Sequence, residues 1–149
     1  LVDEPVEMQK TLTAIAAAHD AIYRHIAAGP VGYSMICENL SATTMGGYFE
    51  DYIAPHLSRW MDWLHARGHR ALIHNDGTLR GTLEKLAAAG IDCVDSVVPK
   101  PVGDVGMDEV RQLAGDKILL LGGLPGAMFA PPFTAREIEQ HVKEIIRLH

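Results

Sequence analysis

Glu38, His74 and Asp76 are the side chains with the clearest potential for acid–base or metal chemistry. Glu38 follows the run 34–37, and His74 follows the apolar run 71–73. A carboxylate beside a buried strand is costly unless it is paired, solvated or bound to a metal. A neutral imidazole binds zinc and titrates near neutral pH, which suits proton transfer. These three residues are therefore the candidate catalytic residues and together form a candidate metal site.

Each of the three also has a plain structural interpretation. Glu38 would form an ion pair or lie partly solvated in a loop, and His74 would be satisfied by backbone groups. Asp76 precedes Gly77 and Thr78, a pattern typical of a residue that caps the next helix. Both interpretations of each residue stay open at the level of sequence.

A second group of residues is a candidate for contacting a substrate. Asn39 follows Glu38, and Lys100 lies between two prolines on a stiff extended loop that would present its charge to an anion. Gly122 and Gly123 would let the backbone approach a ligand closely. A solvated lysine and a simple glycine turn are the alternative interpretations.

The elements that would position these residues alternate along the chain. Apolar spacing predicts helices at 8–26, 45–67, 78–89 and 107–114, and a capping-box pattern at 134–137 opens a last one. Short apolar runs predict strands at 31–37, 70–73, 91–98 and 117–121. Pro55 falls inside the second helical segment and predicts a kink or two abutting helices.

This order, a helix followed by four βα units, predicts an α/β fold with a parallel sheet. No glycine-rich phosphate turn follows any strand, which favours part of a (β/α)8 barrel over a doubly wound sheet. Four units are half of such a barrel, so we expect the other half to come from further residues or another chain. In barrels the working residues lie at the carboxyl ends of strands, where the candidates above are found.

Composition excludes several classes of function. The formal net charge is -6, and no cluster of basic residues suggests nucleic-acid binding. No apolar run is long enough to span a bilayer, and the acidic start does not resemble a signal peptide. Cys37 and Cys93 lie in apolar runs, as buried thiols of a reducing compartment do. We therefore expect a cytoplasmic protein that binds neither nucleic acid nor membrane.

Several motifs resemble those of the uroporphyrinogen-decarboxylase-like superfamily. The segments 74–77, His-Asn-Asp-Gly, and 89–92, Ala-Gly-Ile-Asp, resemble its H-x-D-G…G-[IV]-D stretch. The segment 115–123 resembles the strand G-[DN]-[KR]…GG, and 49–56 is similar to the helix F-x-x-F-x-x-P-Y. Glu38 then aligns with the acidic residue at the preceding strand end. The resemblance covers residues 1–149 as one partial barrel domain, the later part of a longer barrel without its N-terminal half and last βα unit.

The superfamily has a cofactor-free decarboxylase branch and a methyltransferase branch that moves methyl groups between a corrinoid and a thiol or pterin. His74 is typical of the methyltransferase branch, whose zinc is often held by H-x-C and a later cysteine. Here Asp76 replaces the first of those cysteines, and none follows Cys93. The resemblance therefore implies methyl transfer from a corrinoid protein, with zinc on Glu38, His74 and Asp76.

Three alternatives remain. The first is uroporphyrinogen decarboxylation, in which Lys100 would contact the carboxylates. The second is a metallohydrolase, whose usual H-x-H motif is absent from this chain. The third is a catalytically silent chain that acts only by assembling, as a homo-oligomer or with the remainder of the barrel.

Overall fold

Four parallel strands form a single sheet in the order β1-β2-β3-β4. The computed structural model describes residues 3–75 and 77–148. The strands are β1 (Tyr33–Leu40), β2 (Arg70–Asn75), β3 (Cys93–Val97) and β4 (Leu119–Gly122). The helices are α1 (Pro5–Ala28), α2 (Ala42–Met45), α3 (Ala54–His65), α4 (Leu83–Ala88), α5 (Met107–Ala114) and α6 (Ala135–Leu148).

The predicted fold class is confirmed. One helix precedes four strands, each strand is followed by helical structure, and all three strand pairs are parallel. This arrangement is compatible with part of a (β/α)8 barrel. None of the described helices combines the length and apolar character needed to cross a bilayer.

One face of the sheet packs beneath the helices. The strand register aligns a row of side chains across the sheet, and every member packs in or against the core: Ile36, Ile73, Val94 and Leu120. Leucines and methionines of α3 and α4 cover this row, including the fully buried Leu64, Leu83 and Leu86. Burial of this apolar surface is the main source of stability.

The other face of the sheet is open. Because side chains alternate along a strand, the neighbouring row consists of Met35, Leu72, Cys93 and Leu119. The outer members of this row are exposed, Met35 at 50% and Leu119 at 60%, whereas Leu72 and Cys93 on the two central strands are buried. Side chains on this face would fill the interior of a closed barrel.

Element boundaries differ from the predicted ones in two informative places. Strand β1 extends to Leu40 and β2 to Asn75, so Glu38 and His74 lie inside strands and not after them. Helix α4 begins at Leu83, later than predicted, because residues 78–82 form turns. Pro55 does divide its segment, since a π-helical turn at Phe49–Ile53 precedes α3.

The apolar faces of the outer helices are only partly covered. On α1, Met8, Ile15 and Ile22 are exposed, whereas Tyr23 and Ile26 pack against the core cluster. On α6, Ile145 packs against the core, whereas Ile146, expected to face inward, is 73% exposed. The capping box of α6 is present, since Thr134 and Glu137 bond each other's backbone amides.

Candidate functional site

His74 lies on the open face of the sheet, in the carboxyl-terminal half of β2. It is paired in register with Asp95 of β3, one row beyond the apolar row of Leu72 and Cys93. The side chain of His74 is 29% exposed and that of Asp95 is 34% exposed. Both groups can therefore meet a ligand while the sheet backbone holds them in place.

Two side chains contact the same nitrogen of the His74 ring. Oδ2 of Asp95 lies 3.2 Å from Nδ1, and Oγ of Ser96 also lies 3.2 Å from Nδ1. Successive residues of a regular strand point to opposite faces, so Asp95 and Ser96 would not normally reach one partner. Ser96 has φ of +62°, a left-handed backbone that is uncommon for a residue with a side chain. This local turn brings both oxygens to His74.

Glu38 lies in a different place from His74. It lines a cleft of about 340 Å³ between α1, α3 and the end of β1. The cleft combines apolar side chains with His19, Asp51 and His56. Within the described part of the chain, no hydrogen bond or ion pair joins Glu38 to His74. The register shift of β1 between Ile36 and Leu40 accompanies this separation.

Trp60 lines the cleft and is held there by a neighbouring ion pair and a stacked ring. Asp20 accepts hydrogen bonds from Arg59 at 2.7 Å and from the Trp60 indole at 2.8 Å. The Arg59 bond, followed by the Trp60 bond, holds the pKa of Asp20 below its ordinary value. Tyr23 stacks on Trp60 with ring centroids 4.2 Å apart. Burial, followed by the nearby Glu38 carboxylate, raises the pKa of Tyr23 to about 12.

His56 adds a neutral imidazole to this cleft. Its Nδ1 lies 2.9 Å from a guanidinium nitrogen of Arg59, which can only donate, so Nδ1 accepts. Burial, followed by the charge of Arg59, lowers the pKa of His56. The structure gives it a defined tautomer at the wall of a cleft.

The proposed zinc ligands are not assembled in the described residues. Asp76 lies outside them, and Glu38 and His74 occupy the separate positions given above. Across 3–75 and 77–148, no three His, Cys, Asp or Glu side chains are grouped so that they could hold a metal ion. The described side chains therefore do not fit a complete zinc site.

The helix-capping role considered for Asp76 has another candidate. Asp104 accepts hydrogen bonds from the amides of Leu79 at 2.8 Å and Arg80 at 3.1 Å. Burial raises the pKa of Asp104, but these two amides outweigh it and hold the pKa below its ordinary value. The turn after β2 is thus secured by a residue from a different loop.

The predicted glycines have structural roles that the geometry explains. At Gly122, φ is +122° and a Cβ atom would lie 2.7 Å from the carbonyl oxygen of Val97. Gly123 donates its amide to the same oxygen and accepts a hydrogen bond from His141 through its carbonyl. Close packing of β4 on β3 therefore requires glycine at 122. Contact of either glycine with a substrate stays a prediction.

Asn39 and Lys100 are both exposed. The backbone carbonyl of Asn39 accepts a hydrogen bond from Thr44, and the amide of Lys100 donates to Val105. Their side chains are thus free of a structural task in the described residues, and their contact with substrate stays a prediction.

Asp95 is the site residue that sequence reasoning missed. It lies in the middle of the predicted apolar strand 91–98, where a carboxylate is a signal that a partner lies beside it. The register that pairs it with His74 comes from the sheet and is not visible in either segment alone.

Comparison with known proteins identifies the family. The family model described as uroporphyrinogen decarboxylase (URO-D) matches residues 1–149, the full length of the chain. No curated protein matches the chain. The match agrees with the parallel α/β sheet and with the motifs at 74–77 and 115–123. The chain therefore belongs to the uroporphyrinogen decarboxylase family.

Proposed function

We propose that this chain carries part of the active site of an enzyme that transfers a methyl group between a corrinoid and a thiol or pterin acceptor. One observation carries the proposal: the partly exposed His74 lies on the open face of the sheet with an anionic partner at Nδ1. Histidine at this position resembles the methyltransferase branch of the superfamily.

His74 would act on the methyl acceptor. A thiol becomes a strong nucleophile only after it loses its proton. In the proposed reaction the S–H bond breaks and the proton moves to Nε2 of His74. A sulfur lone pair then forms the bond to the methyl carbon. The bond between that carbon and its donor breaks, and the electrons of the broken bond stay with the donor. The methylcorrinoid, supplied by a partner corrinoid protein, is that donor.

Demethylation of methylcobalamin tests the proposal directly. Wild-type protein is mixed with methylcobalamin and a small thiol or a folate, and the cobalamin absorbance is followed with time. His74→Ala should slow the reaction by about 100-fold or more, the usual contribution of general acid–base catalysis. The matched control is His25→Ala, which removes an exposed histidine from α1. Absence of demethylation with every acceptor would refute the proposal.

Zinc content is the companion measurement. Elemental analysis of the wild type and of His74→Ala asks whether a metal depends on this imidazole. Stoichiometric zinc that is lost in the variant would make His74 a metal ligand, with further ligands beyond those grouped in the described residues. Absence of zinc from both proteins would leave His74 as a base that acts without metal.

Decarboxylation of a porphyrinogen is the second candidate, favoured by the description of the matching family. His74 would then donate a proton to the carbon that loses its carboxylate, and the exposed Lys100 would contact a neighbouring carboxylate. Turnover of uroporphyrinogen by metal-free protein, with no demethylation of methylcobalamin, would establish this reaction in place of methyl transfer.

A further inference from the structure

The hydrogen bond between Asp95 and His74 determines which ring nitrogen carries the proton. An ionised carboxylate can only accept hydrogen bonds. Because Oδ2 of Asp95 lies 3.2 Å from Nδ1 of His74, Nδ1 must be the protonated nitrogen of the neutral ring. Nε2 then holds a lone pair and, within the described part of the chain, has no hydrogen-bond partner.

Ser96 is compatible with this assignment. Its Oγ lies 3.2 Å from the same Nδ1, and a hydroxyl oxygen can accept while its own proton points elsewhere. The left-handed φ of +62° that brings Ser96 to His74 is strained for a residue that is not glycine. Such strain persists where surrounding structure imposes it, often at functional sites. Two acceptors therefore converge on one nitrogen and leave the other available.

We propose that Asp95 is a positioning residue for His74: it fixes the tautomer and orientation of the ring so that Nε2 presents a lone pair to the open face. This inference rests on the proposed function for the identity of the acceptor, and it deepens that function by naming the reacting nitrogen. An Nε2 lone pair is what a base needs to accept a proton from a thiol.

A purely structural ion pair would behave differently from a positioning residue. Both side chains are about a third exposed, and ion pairs at such positions contribute little to stability. Loss of the carboxylate should therefore hardly change stability. Its expected effect lies in the ring tautomer and in turnover, because nothing else in the described residues holds Nδ1 as strongly.

The test compares Asp95→Asn and Asp95→Glu with the wild type by ¹⁵N nuclear magnetic resonance of the histidine rings. His74 is assigned from the signals that disappear in His74→Ala. We expect the wild type to show the Nδ1–H tautomer. In Asp95→Asn the proton should distribute over both nitrogens, and Asp95→Glu should restore part of the wild-type signature. Asp116→Asn, an exposed loop aspartate, is the matched control and should leave the His74 signals unchanged.

Kinetics provide the second readout. Asp95→Asn should lower kcat for methyl transfer by about 10–100-fold, the usual loss when a partner of a functional histidine is removed, with KM little changed. A wild-type ring protonated at Nε2, or a tautomer unchanged in Asp95→Asn, would overturn the inference even if methyl transfer is found. The Nδ1–H tautomer in a protein without methyl transfer would support the positioning role and refute only the proposed reaction.

Discussion

At the scale of a single residue, the carboxylate of Asp92 contacts three residues: His65 of α3, and Arg70 and Ala71 of β2. Oδ2 accepts a hydrogen bond from the amide of Ala71 at 2.9 Å and lies 2.8 Å from Nε2 of His65. Oδ1 lies 3.4 Å from Nε of Arg70. The aspartate that ends the family-like Gly-Ile-Asp motif is therefore a structural residue, which fastens the start of β2 to the end of α3.

We predict that Asp92→Ala destabilises the protein by about 1–3 kcal/mol, because the amide of the fully buried Ala71 loses its side-chain acceptor. Urea unfolding measures the change as a lower midpoint with an unchanged slope. Asp116→Ala is the control: its side chain is exposed and should change the unfolding free energy by less than about 0.5 kcal/mol. Equal losses in both variants would contradict the structural role of Asp92.

A side chain beside its own strand can be placed from sequence, whereas a partner that comes from another strand cannot. His74 was identified because an imidazole next to an apolar run is conspicuous. Asp95 was missed because its role depends on the register between β2 and β3. Glu38 was expected beside His74, but it lines the cleft between α1 and α3. Register and local irregularity are set by tertiary packing, which one sequence does not display.

At the scale of elements, the predicted order of helices and strands is confirmed and the start of α4 is the main difference. The amides of Leu79 and Arg80 donate to the carboxylate of Asp104, which lies more than twenty residues further along the chain. Gly81 likewise donates to the side chain of Glu84. Together, these long-range and local bonds hold the segment before α4 out of helical structure, although the apolar spacing alone favoured a helix from residue 78.

The depressed pKa of Asp104 predicts a pH-dependent contribution to stability. A carboxyl group with a lower pKa in the folded protein stabilises it above the unfolded value, here 3.8, and that contribution is lost as pH falls through the folded value. Asp104→Asn should therefore lower the unfolding free energy near pH 6 by an amount on the order of 1 kcal/mol. The difference from wild type should shrink below pH 3.8.

Urea unfolding at a series of pH values between neutrality and the acid limit of the fold measures this difference. Asp116→Asn removes a comparable charge from an exposed position and controls for the change in net charge. If the difference in unfolding free energy between wild type and Asp104→Asn stayed constant with pH, the prediction would be wrong. The amides of Leu79 and Arg80 would then bond the protonated Asp104 as well as the ionised one.

At the scale of the whole molecule, the sheet has one covered and one open face. Tyr33, Met35, Leu119 and Leu121 are all between 42% and 60% exposed, although apolar side chains of a sheet are normally buried. The outer strands β1 and β4 have one strand neighbour each among the described residues. Unpaired strand edges beside an apolar surface favour association with further strands.

We predict that the 149-residue chain self-associates through this open face. Sedimentation velocity over a range of concentrations should show a reversible shift to larger species. Leu119→Glu places a charge in the apolar row and should shift the equilibrium toward monomer, because each buried unpaired carboxylate would be costly. Phe129→Glu is the matched control, since Phe129 is 70% exposed but lies in a short turn after β4, off the sheet.

Comparison of the two variants distinguishes association through the sheet from non-specific association through any exposed apolar surface. If both reduced association equally, exposed apolar area anywhere on the surface would account for it. If the wild type stays monomeric at every concentration, the open face does not drive self-association and the prediction is wrong. A selective effect of Leu119→Glu would instead place His74 and Asp95 next to an interface, because they occupy the row beyond Leu72 and Cys93 on the same face. The candidate site would then be completed by side chains from the strands that close over it.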